Sequence, residues 1–365
     1  MMYEIKGIPI RNLFFMLAYA MHVPDIEGEI RGSFEDMKTF DDLLAHILLR
    51  CVHDQISVGL YSDYVPEHIS CPRISGRILV NGTLRMESRH RMIASCSVSR
   101  YSLDNTLNRV VKTTLIAMLG RGLSNDNDRA GIIRVLRHFA NVSTVDLSKF
   151  RWKDLEFWSG NRGYRCMIDV CRLFHDYVMP SQEKDGTRLR EPMMPDDDVM
   201  SAVFERFVRN YYLDNFKDFC LGSKKIKWGT YDDELLPQMR TDVYFKSEKR
   251  VLIVDTKFYK EMLQKNYSSE SQHSSNLYQM LSYMENESYA DDSIAISGFI
   301  LYARSNAGSL PDHSYTICGK RLGVGSLDLS ADLDTVKNHL DRIPSDYLSL
   351  NDFNNRFADN YHIRS

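Results

Sequence analysis

Two short apolar segments joined by a polar turn constrain the fold of this chain more than any other feature. Residues 240–245 (RTDVYF) and 251–257 (VLIVDTK) are rich in β-branched and aromatic residues, a composition typical of β-strands. The residues between them, 247–250 (SEKR), have the polarity of a hairpin turn. Because the second segment is apolar over most of its length, we expect it to be a strand buried on both faces of a sheet.

Three charged side chains interrupt these strands near one end. Asp242 lies at the start of the first strand, and Asp255 and Lys257 lie at the end of the second. Residues two apart on a strand point to the same face, and Asp242 can reach that face if the hairpin register is right. Burying such groups is unfavourable unless they are paired or bind a metal ion. A salt bridge, of Asp255 with Lys257 or of Asp242 with Arg240, is the ordinary explanation of so short a pattern.

Metal-assisted hydrolysis of a phosphodiester is the chemistry that requires this set of side chains. Carboxylate oxygens are hard ligands for Mg²⁺, which polarises a phosphate and lowers the pKa of a water molecule. A neighbouring lysine can orient that water or stabilise the pentavalent transition state. The strand pair therefore predicts a candidate Mg²⁺ site, to be weighed against the salt bridge.

Two predicted helices flank the strand pair and add three candidate residues. Residues 199–212 carry apolar side chains at helical spacing, and Glu205 lies at the edge of that stripe, where it faces either the strands or solvent. Residues 276–283 predict a second helix, with Gln279 and Tyr283 four apart and therefore on one face. Their hydrogen-bonding groups suit a phosphate or the lysine, although an ordinary half-buried helix is the better explanation of this segment taken alone.

The order of these features resembles the PD-(D/E)xK nuclease superfamily, in the branch that ends in a QxxxY motif. Thr241 departs from the family pattern, which often has proline there. Over most of the chain, up to about residue 340, the sequence is similar to the McrC family, the nuclease subunits of McrBC-type modification-dependent restriction systems. The segments that carry the similarity are 200–208, 241–243, 254–259 and 276–283, and more loosely 10–13, 74–78 and 104–109.

The resemblance implies an α/β chain, α+β overall. An N-terminal mixed α/β domain would dock an AAA+ partner, usually a GTPase hexamer, and stimulate its NTP hydrolysis. A PD-(D/E)xK endonuclease-like core, a mixed sheet flanked by helices, would cut double-stranded DNA with modified cytosine that the partner delivers. The expected roles are these: Asp242, Asp255 and the carbonyl of Thr256 ligate Mg²⁺; Lys257 positions or activates water; Glu205 holds a metal-bound water or a second metal; Gln279 and Tyr283 support the site.

The net charge, the motif content and the cysteine pattern exclude several classes of protein. A formal net charge of −3 and a pI of about 6.4 argue against a protein that holds nucleic acid by bulk charge, so DNA contact must rely on local patches or on a partner. The sequence has no P-loop motif, so we expect a partner to supply any NTP hydrolysis. Seven scattered cysteines without a CxxC pair fit reduced thiols in the cytoplasm, and no segment approaches the length of a membrane span.

We expect four regions: an N-terminal domain at 1–180, a linker at 181–198, the nuclease domain at 199–345 and a tail at 346–365. Asn81-Gly82 predicts a hairpin between two strands. Basic residues around that hairpin form either a solvated face or a contact surface, and they are our first candidates for partner contact: Arg73, Arg77, Arg85, Arg89, His90, Arg91 and Arg100. Predicted helices cover residues 11–21, 40–56, 103–119, 128–140, 164–178 and 333–340, and further predicted strands cover 61–65, 74–80, 83–97, 226–230, 294–303 and 314–318.

Two other functions remain open from the sequence. One is a stand-alone repair nuclease of the QxxxY branch, similar to the RecB exonucleases. The other is a non-catalytic activator of an AAA+ NTPase that keeps a relic nuclease fold. A small basic cluster before the motif strands is either an ordinary surface or a phosphate contact, and consists of Lys224, Lys225 and Lys227.

Overall fold

The computed structural model describes most of the chain, and its contacts divide the chain into two compact units. The first unit combines Met1–Phe40 with Arg190–Ser365, and the second is Asp41–Leu189. The described residues are 4–23, 26, 28, 36–87, 93–178, 195, 197–230, 235–258, 264–266, 269–271, 274–290, 293–304 and 312–349.

Nine of the described helices are used below: α1 (Ile10–Ala20), α2 (Phe40–Val58), α3 (Val80–Glu87), α4 (Thr106–Arg121), α5 (Asp126–Leu136), α6 (Tyr164–Val178), α7 (Asp197–Asn215), α8 (Ser274–Ala290) and α9 (Leu333–Leu348). The strands are β1 (Glu4–Ile5), β2 (Ile8–Pro9), β3 (Asp63–Cys71), β4 (Arg77–Ile78), β5 (Ala94–Ser102), β6 (Lys225–Ile226), β7 (Met239–Arg240), β8 (Val243–Lys246), β9 (Arg250–Phe258), β10 (Gln264–Asn266), β11 (Ser269–Ser271), β12 (Ala295–Arg304), β13 (His313–Ile317) and β14 (Lys320–Asp328).

A five-stranded mixed sheet organises the first unit, in the order β13-β14-β12-β9-β8. β9, β12 and β14 are parallel, and β8 and β13 pair antiparallel at the two edges. Helix α8 covers one face through Met280 and Met284, while α7 and α9 cover the other through ring contacts such as Tyr212 with Phe245 and Tyr347 with Phe299. With both faces covered, β9 is buried over most of its length, as its apolar sequence predicts.

Helix α1 packs in the first unit against α7, although the sequence analysis grouped it with the N-terminal domain. The rings of Phe15 and Phe207 meet edge to face with centroids 5.5 Å apart. Asn12 Nδ2 donates to the carbonyls of Leu329 and Ala331 at 2.7 Å each, so the helix is also tied to the segment that follows β14. The predicted division at residue 180 therefore differs from the observed units, because contacts distant in sequence decide where the first forty residues pack.

The predicted hairpin at Asn81-Gly82 is wrong, because these residues lie inside helix α3. A Cβ on Gly82 would come within 2.6 Å of Ser95 Oγ, so the glycine permits close packing of α3 on β5 rather than a turn. The hydroxyl of Thr83 donates to the Leu79 carbonyl and accepts from the Ser95 N–H at 3.0 Å. These contacts stabilise a helix where the local sequence favours a turn.

The second unit contains a three-stranded antiparallel sheet, β3-β5-β4, together with α2, α4, α5 and α6. Helix α6 spans the predicted residues, and its Tyr164 hydroxyl donates to Asn108 Oδ1 at 2.5 Å. Arg89, His90 and Arg91 of the predicted basic surface lie outside the described residues, as does nearly all of the predicted linker.

The predicted α+β architecture is confirmed: both units combine helices with strands, and the first unit contains the expected mixed sheet flanked by helices. The predicted tail begins inside helix α9, which continues to Leu348, and residues 350–365 lie outside the described part. Among the described residues, no helix combines the length and apolar character needed to cross a membrane.

Candidate active site

The register of the β8–β9 hairpin brings the two predicted aspartates together. Val243 pairs with Val254 in the antiparallel ladder, so Asp242, one residue before β8, falls opposite Asp255. The predicted turn closes the hairpin, with the Ser247 N–H donating to the Arg250 carbonyl at 2.8 Å. A slip of one residue would turn a strand's side chains to the other face of the sheet. By setting the register, this turn therefore places the two carboxylates next to each other.

Asp242 is held in place by Thr256 on the neighbouring strand. Its Oδ2 accepts hydrogen bonds from both the backbone N–H and the hydroxyl of Thr256, at 2.7 Å each. Thr256 is buried, so these bonds are shielded from water. The hydroxyl of Thr256 therefore orients a predicted ligand, a role that the sequence analysis did not assign to it.

Asp255 and Lys257 share one face of β9, as their spacing predicts. Asp255 is only 2% exposed, and its Oδ2 lies 2.7 Å from Lys257 Nζ. Apart from this ion pair, Oδ2 has no hydrogen-bond donor among the described residues. A buried carboxylate oxygen with spare acceptor capacity is unfavourable unless another ligand occupies it.

Gln279 and Tyr283 hold the lysine through a chain of hydrogen bonds. Lys257 Nζ donates to Gln279 Oε1 at 3.1 Å, and Gln279 Nε2 donates to Tyr283 Oη at 2.8 Å. The Tyr283 hydroxyl then donates to the Arg240 carbonyl at 3.0 Å. Because that carbonyl can only accept, the direction of each preceding bond is fixed, and Gln279 must present its oxygen to the lysine.

Glu205 lies near the carboxylates but is paired with another residue. Its Oε1 accepts from Arg209 Nη1 at 2.6 Å within α7, and its side chain is 41% exposed. Its negative charge still raises the pKa of both Asp242 and Asp255, which shows that it borders the site. Arg209 was missed by the sequence analysis, although its position four residues after Glu205 is the ordinary signal of a helical ion pair.

The electrostatics of the site favour binding of a cation. Burial raises the pKa of Asp242 to about 6, and the charges of Asp255 and Glu205 act in the same direction. Burial also raises the pKa of Asp255, against the lowering effect of the Lys257 ammonium. Burial and mutual repulsion thus disfavour the ionised forms of these two carboxylates. A metal ion bound between them would offset the repulsion and favour the ionised forms.

Among the described residues, two carboxylates are placed to hold Mg²⁺, without a third side-chain ligand. No three carboxylate, imidazole or thiol side chains in the described part converge closely enough to hold a metal ion, so Glu205 does not complete a cluster in this arrangement. Mg²⁺ is commonly held by one or two carboxylates and keeps several waters, a pattern that Asp242 and Asp255 can supply. The spare acceptor capacity of Asp255 Oδ2 agrees with this assignment.

Thr241 has a structural role that explains the departure from proline. It is 1% exposed, and its N–H donates to the Lys224 carbonyl at 3.0 Å. Its hydroxyl accepts from the Lys224 N–H, also at 3.0 Å. A proline has no N–H to donate, so this chain fastens the strand before Asp242 by hydrogen bonds instead.

Comparison with known proteins now identifies the family. A family model described as "McrBC 5-methylcytosine restriction system component" matches residues 6–296, which is most of the chain. The chain belongs to this McrBC family. The resemblance inferred from the motifs is therefore confirmed, and the matched range includes every residue of the candidate site.

The chain is also similar to one characterised protein and to two solved structures. The "Type IV methyl-directed restriction enzyme EcoKMcrBC" of Escherichia coli (strain K12) is 26% identical over 351 residues, covering 94% of this chain and 99% of that protein. A chain in the assembly of Thermococcus gammatolerans McrB AAA+ hexamers with bound McrC matches 92% of this chain and 76% of its own length, at 16% identity and a TM-score of 0.50. The cryo-EM structure of the Thermococcus gammatolerans McrBC complex matches 57% of this chain and 59% of its own, at 17% identity and a TM-score of 0.40. The first structural likeness extends to the fold alone.

Proposed function

We propose that this McrBC family member is the Mg²⁺-dependent endonuclease subunit of a restriction complex and cuts DNA delivered by an AAA+ NTPase. The observation that carries the proposal is the meeting of Asp242, Asp255 and Lys257 at one end of the β8–β9 hairpin. The anchoring of Lys257 by Gln279 supports it, since the hydrogen bond holds the ammonium group beside the carboxylates.

Asp242, Asp255 and the Thr256 carbonyl would hold Mg²⁺ in this site. When bound, the ion supplies Lewis-acid activation of the scissile phosphate and of the attacking water. Thr256 keeps the Asp242 carboxylate aimed by donating two hydrogen bonds to one of its oxygens, which leaves the other oxygen for a ligand. Because these groups are placed before the substrate arrives, little reorganisation is needed during the reaction.

Lys257 provides the positive charge that the phosphate requires. Its ammonium is held between Asp255 Oδ2 and Gln279 Oε1, where it would orient water or stabilise negative charge developing on the phosphate. Tyr283 fixes the orientation of Gln279 and thereby of the lysine. Glu205 would leave Arg209 to hold a water or a second metal ion when substrate is bound.

A partner must bring the DNA if this function is correct. The chain has a net charge of −3 and no P-loop motif, so we propose that an AAA+ GTPase or ATPase hexamer binds and translocates the DNA. The description of the matching family and the methyl-directed relative support a complex that acts on DNA with modified cytosine. The exposed Arg73, before β4, and Arg77, the first residue of β4, are our first candidates for contacts that stimulate the partner's NTP hydrolysis.

The test is cleavage of cytosine-methylated and unmethylated plasmid with Mg²⁺ and NTP, using the chain with and without its AAA+ partner. We expect cleavage of methylated plasmid only with the partner, and loss of cleavage by about a hundredfold to a thousandfold in Lys257→Ala and Asp255→Asn. Stimulation of NTP hydrolysis should survive in both variants. The exposed Asp146→Asn serves as the matched control and should cleave normally.

The other outcomes separate the alternatives. Cleavage of DNA ends by the chain alone, without partner or NTP, would replace this proposal with a stand-alone repair nuclease. Faster NTP hydrolysis by the partner without any DNA cleavage would replace it with a non-catalytic activator. Full cleavage by Lys257→Ala would refute the site itself.

A further inference from the structure

The two-stranded ribbon formed by β6 and β7 carries a pair of cations beside the candidate site. Its register pairs Lys225 with Arg240 and Ile226 with Met239. Ile226 and Met239 are buried in the core shared with α8, so Lys225 and Arg240 face the opposite side, where both are exposed. The Gly229 N–H, just beyond β6, donates to Asn286 Oδ1 on α8 at 2.8 Å and so fastens the ribbon to that helix.

The two cations are direct neighbours across the ribbon. The Thr241 N–H donates to the Lys224 carbonyl, so the next pair along the ladder, Lys225 with Arg240, is of the non-hydrogen-bonded type. Side chains approach most closely in such pairs, with Cβ atoms about 4.5–5.5 Å apart. Like charges in this arrangement repel each other, and a bound anion would relieve the repulsion.

The described residues around the ribbon do not supply that anion. Arg240 Nε donates to the hydroxyl of Ser223 at 2.8 Å, a neutral partner that orients the guanidinium without neutralising it. Among the residues that the structure describes, neither Lys225 nor Arg240 contacts a carboxylate. The neighbouring Lys224, by contrast, pairs with Glu287 at 2.6 Å. Of the predicted lysine cluster, Lys224 is therefore structural, and Lys225 is available to a ligand.

The ribbon is joined to the active-site residues through its backbone. The carbonyl of Arg240 accepts the hydroxyl of Tyr283, which in turn orients Gln279 and Lys257. Asp242 follows Arg240 by only two residues. An anion bound between the two cations would consequently have a fixed position relative to the carboxylates.

We propose that Lys225 and Arg240 bind backbone phosphates of the DNA strand next to the phosphate that is cleaved. This inference rests on the proposed nuclease function and adds the surface that holds its substrate. Arginine and lysine are the usual donors to phosphate oxygens, and such contacts set the position of the duplex without reading its sequence. The pair thus provides the local patch that a chain of net charge −3 requires. Lys227, exposed two residues after Lys225, extends the surface.

The test is the salt dependence of DNA binding by the full chain in Mg²⁺-free buffer, followed by fluorescence anisotropy of a labelled duplex. Each phosphate contact contributes about 0.9 to the slope of log affinity against log salt concentration. We expect the double variant Lys225→Gln with Arg240→Gln to lower this slope by about 1.8, equally for methylated and unmethylated duplexes. The matched control removes the exposed Lys246 and Lys249, which lie at the opposite end of the β8–β9 hairpin, and should leave the slope unchanged.

Thermal unfolding separates binding from folding. Because the substitutions remove a repulsion, the double variant should unfold at a temperature no lower than that of the wild type. A lower unfolding temperature with an unchanged salt slope would show that the pair is structural and would overturn the inference. An equal loss of slope in the control variant, or no measurable binding by the wild type at low salt, would overturn it as well.

The two measurements distinguish failure of this inference from failure of the proposed nuclease function. Cleavage by the wild-type complex, together with an unchanged slope in the double variant, would overturn this inference and leave the proposed function standing. A reduced slope in a chain whose wild type never cleaves would support the phosphate-binding pair and overturn the proposed hydrolysis.

Discussion

The substitution Asp242→Asn should make the metal-free protein more stable while it removes cleavage. In the absence of metal, the ionised Asp242 is partly buried beside Asp255 and near Glu205, so its charge opposes folding. The asparagine has nearly the same shape, and its amide oxygen can still accept the two hydrogen bonds from Thr256. The substitution therefore removes an unfavourable charge without removing the contacts that position the side chain.

The size of the effect follows from the pKa of Asp242. A pKa of about 6 in the folded protein, against about 3.9 in an unfolded chain, corresponds to about 3 kcal/mol of destabilisation when the group is fully ionised. The hydrogen bonds from Thr256 are weaker to an amide than to a carboxylate, which offsets part of this. We expect a net gain of about 1–2 kcal/mol in the free energy of unfolding near pH 7.

The pH dependence has a definite sign. Between the unfolded and folded pKa values the native state binds the extra proton, so the stability of the wild type falls as the pH rises from about 4 to about 6 and then levels off. The variant lacks this group, so its advantage should be small near pH 4 and complete above about pH 7.

The assay is urea unfolding in the presence of EDTA, followed by hydrogen exchange of the β8–β9 peptides so that only the first unit is observed. The control is Asp332→Asn, at the exposed N-cap of α9, where hydrogen bonds from Thr335 hold the pKa of Asp332 below its ordinary value. That variant should show no gain at neutral pH. If Asp242→Asn is no more stable than the wild type above pH 7, or if the difference does not shrink on acidification, the reasoning about the buried charge is refuted.

Two further substitutions test the supports of the site. Tyr283→Phe removes the hydroxyl between Gln279 and the Arg240 carbonyl, so single-turnover cleavage by the complex should fall about tenfold. The Mg²⁺ affinity, measured by calorimetry, should not change. An equal fall in Mg²⁺ affinity would contradict a role in positioning the lysine. Thr241→Pro removes the N–H donated to the Lys224 carbonyl and should lower the free energy of unfolding of the first unit, measured with a chemical denaturant, by about 2–3 kcal/mol. Thr241→Ser should stay close to the wild type, because it keeps both the N–H and the hydroxyl. Equal stability of the two variants would show that the hydrogen bond is unimportant.

Much of the candidate site could be predicted because its signals are local. Asp255 and Lys257 share a face because strands alternate, and Gln279 and Tyr283 share a face because helices repeat every 3.6 residues. The pairing of Arg209 with Glu205 follows the same helical rule and could also have been predicted.

Strand β14 shows why the rest of the sheet could not be predicted in the same way. Gly323 and Gly325 interrupt its apolar pattern, so its sequence does not favour a strand. In the folded chain a Cβ on Gly323 would collide with Tyr347 of α9 and with Phe299 of β12. Gly323 is required by neighbours that lie more than twenty residues away, and no local pattern contains that information.

The sequence by itself determined which residues can carry the chemistry, because strand and helix periodicity and the turn between β8 and β9 depend on neighbours along the chain. The tertiary structure decided how those residues meet: the packing of α1 on α7, the helix at Asn81-Gly82, the pairing of Lys225 with Arg240 and the bond from Tyr283 to the Arg240 carbonyl. These contacts join segments distant in sequence, and their free energies outweigh local preferences only once the segments are packed together.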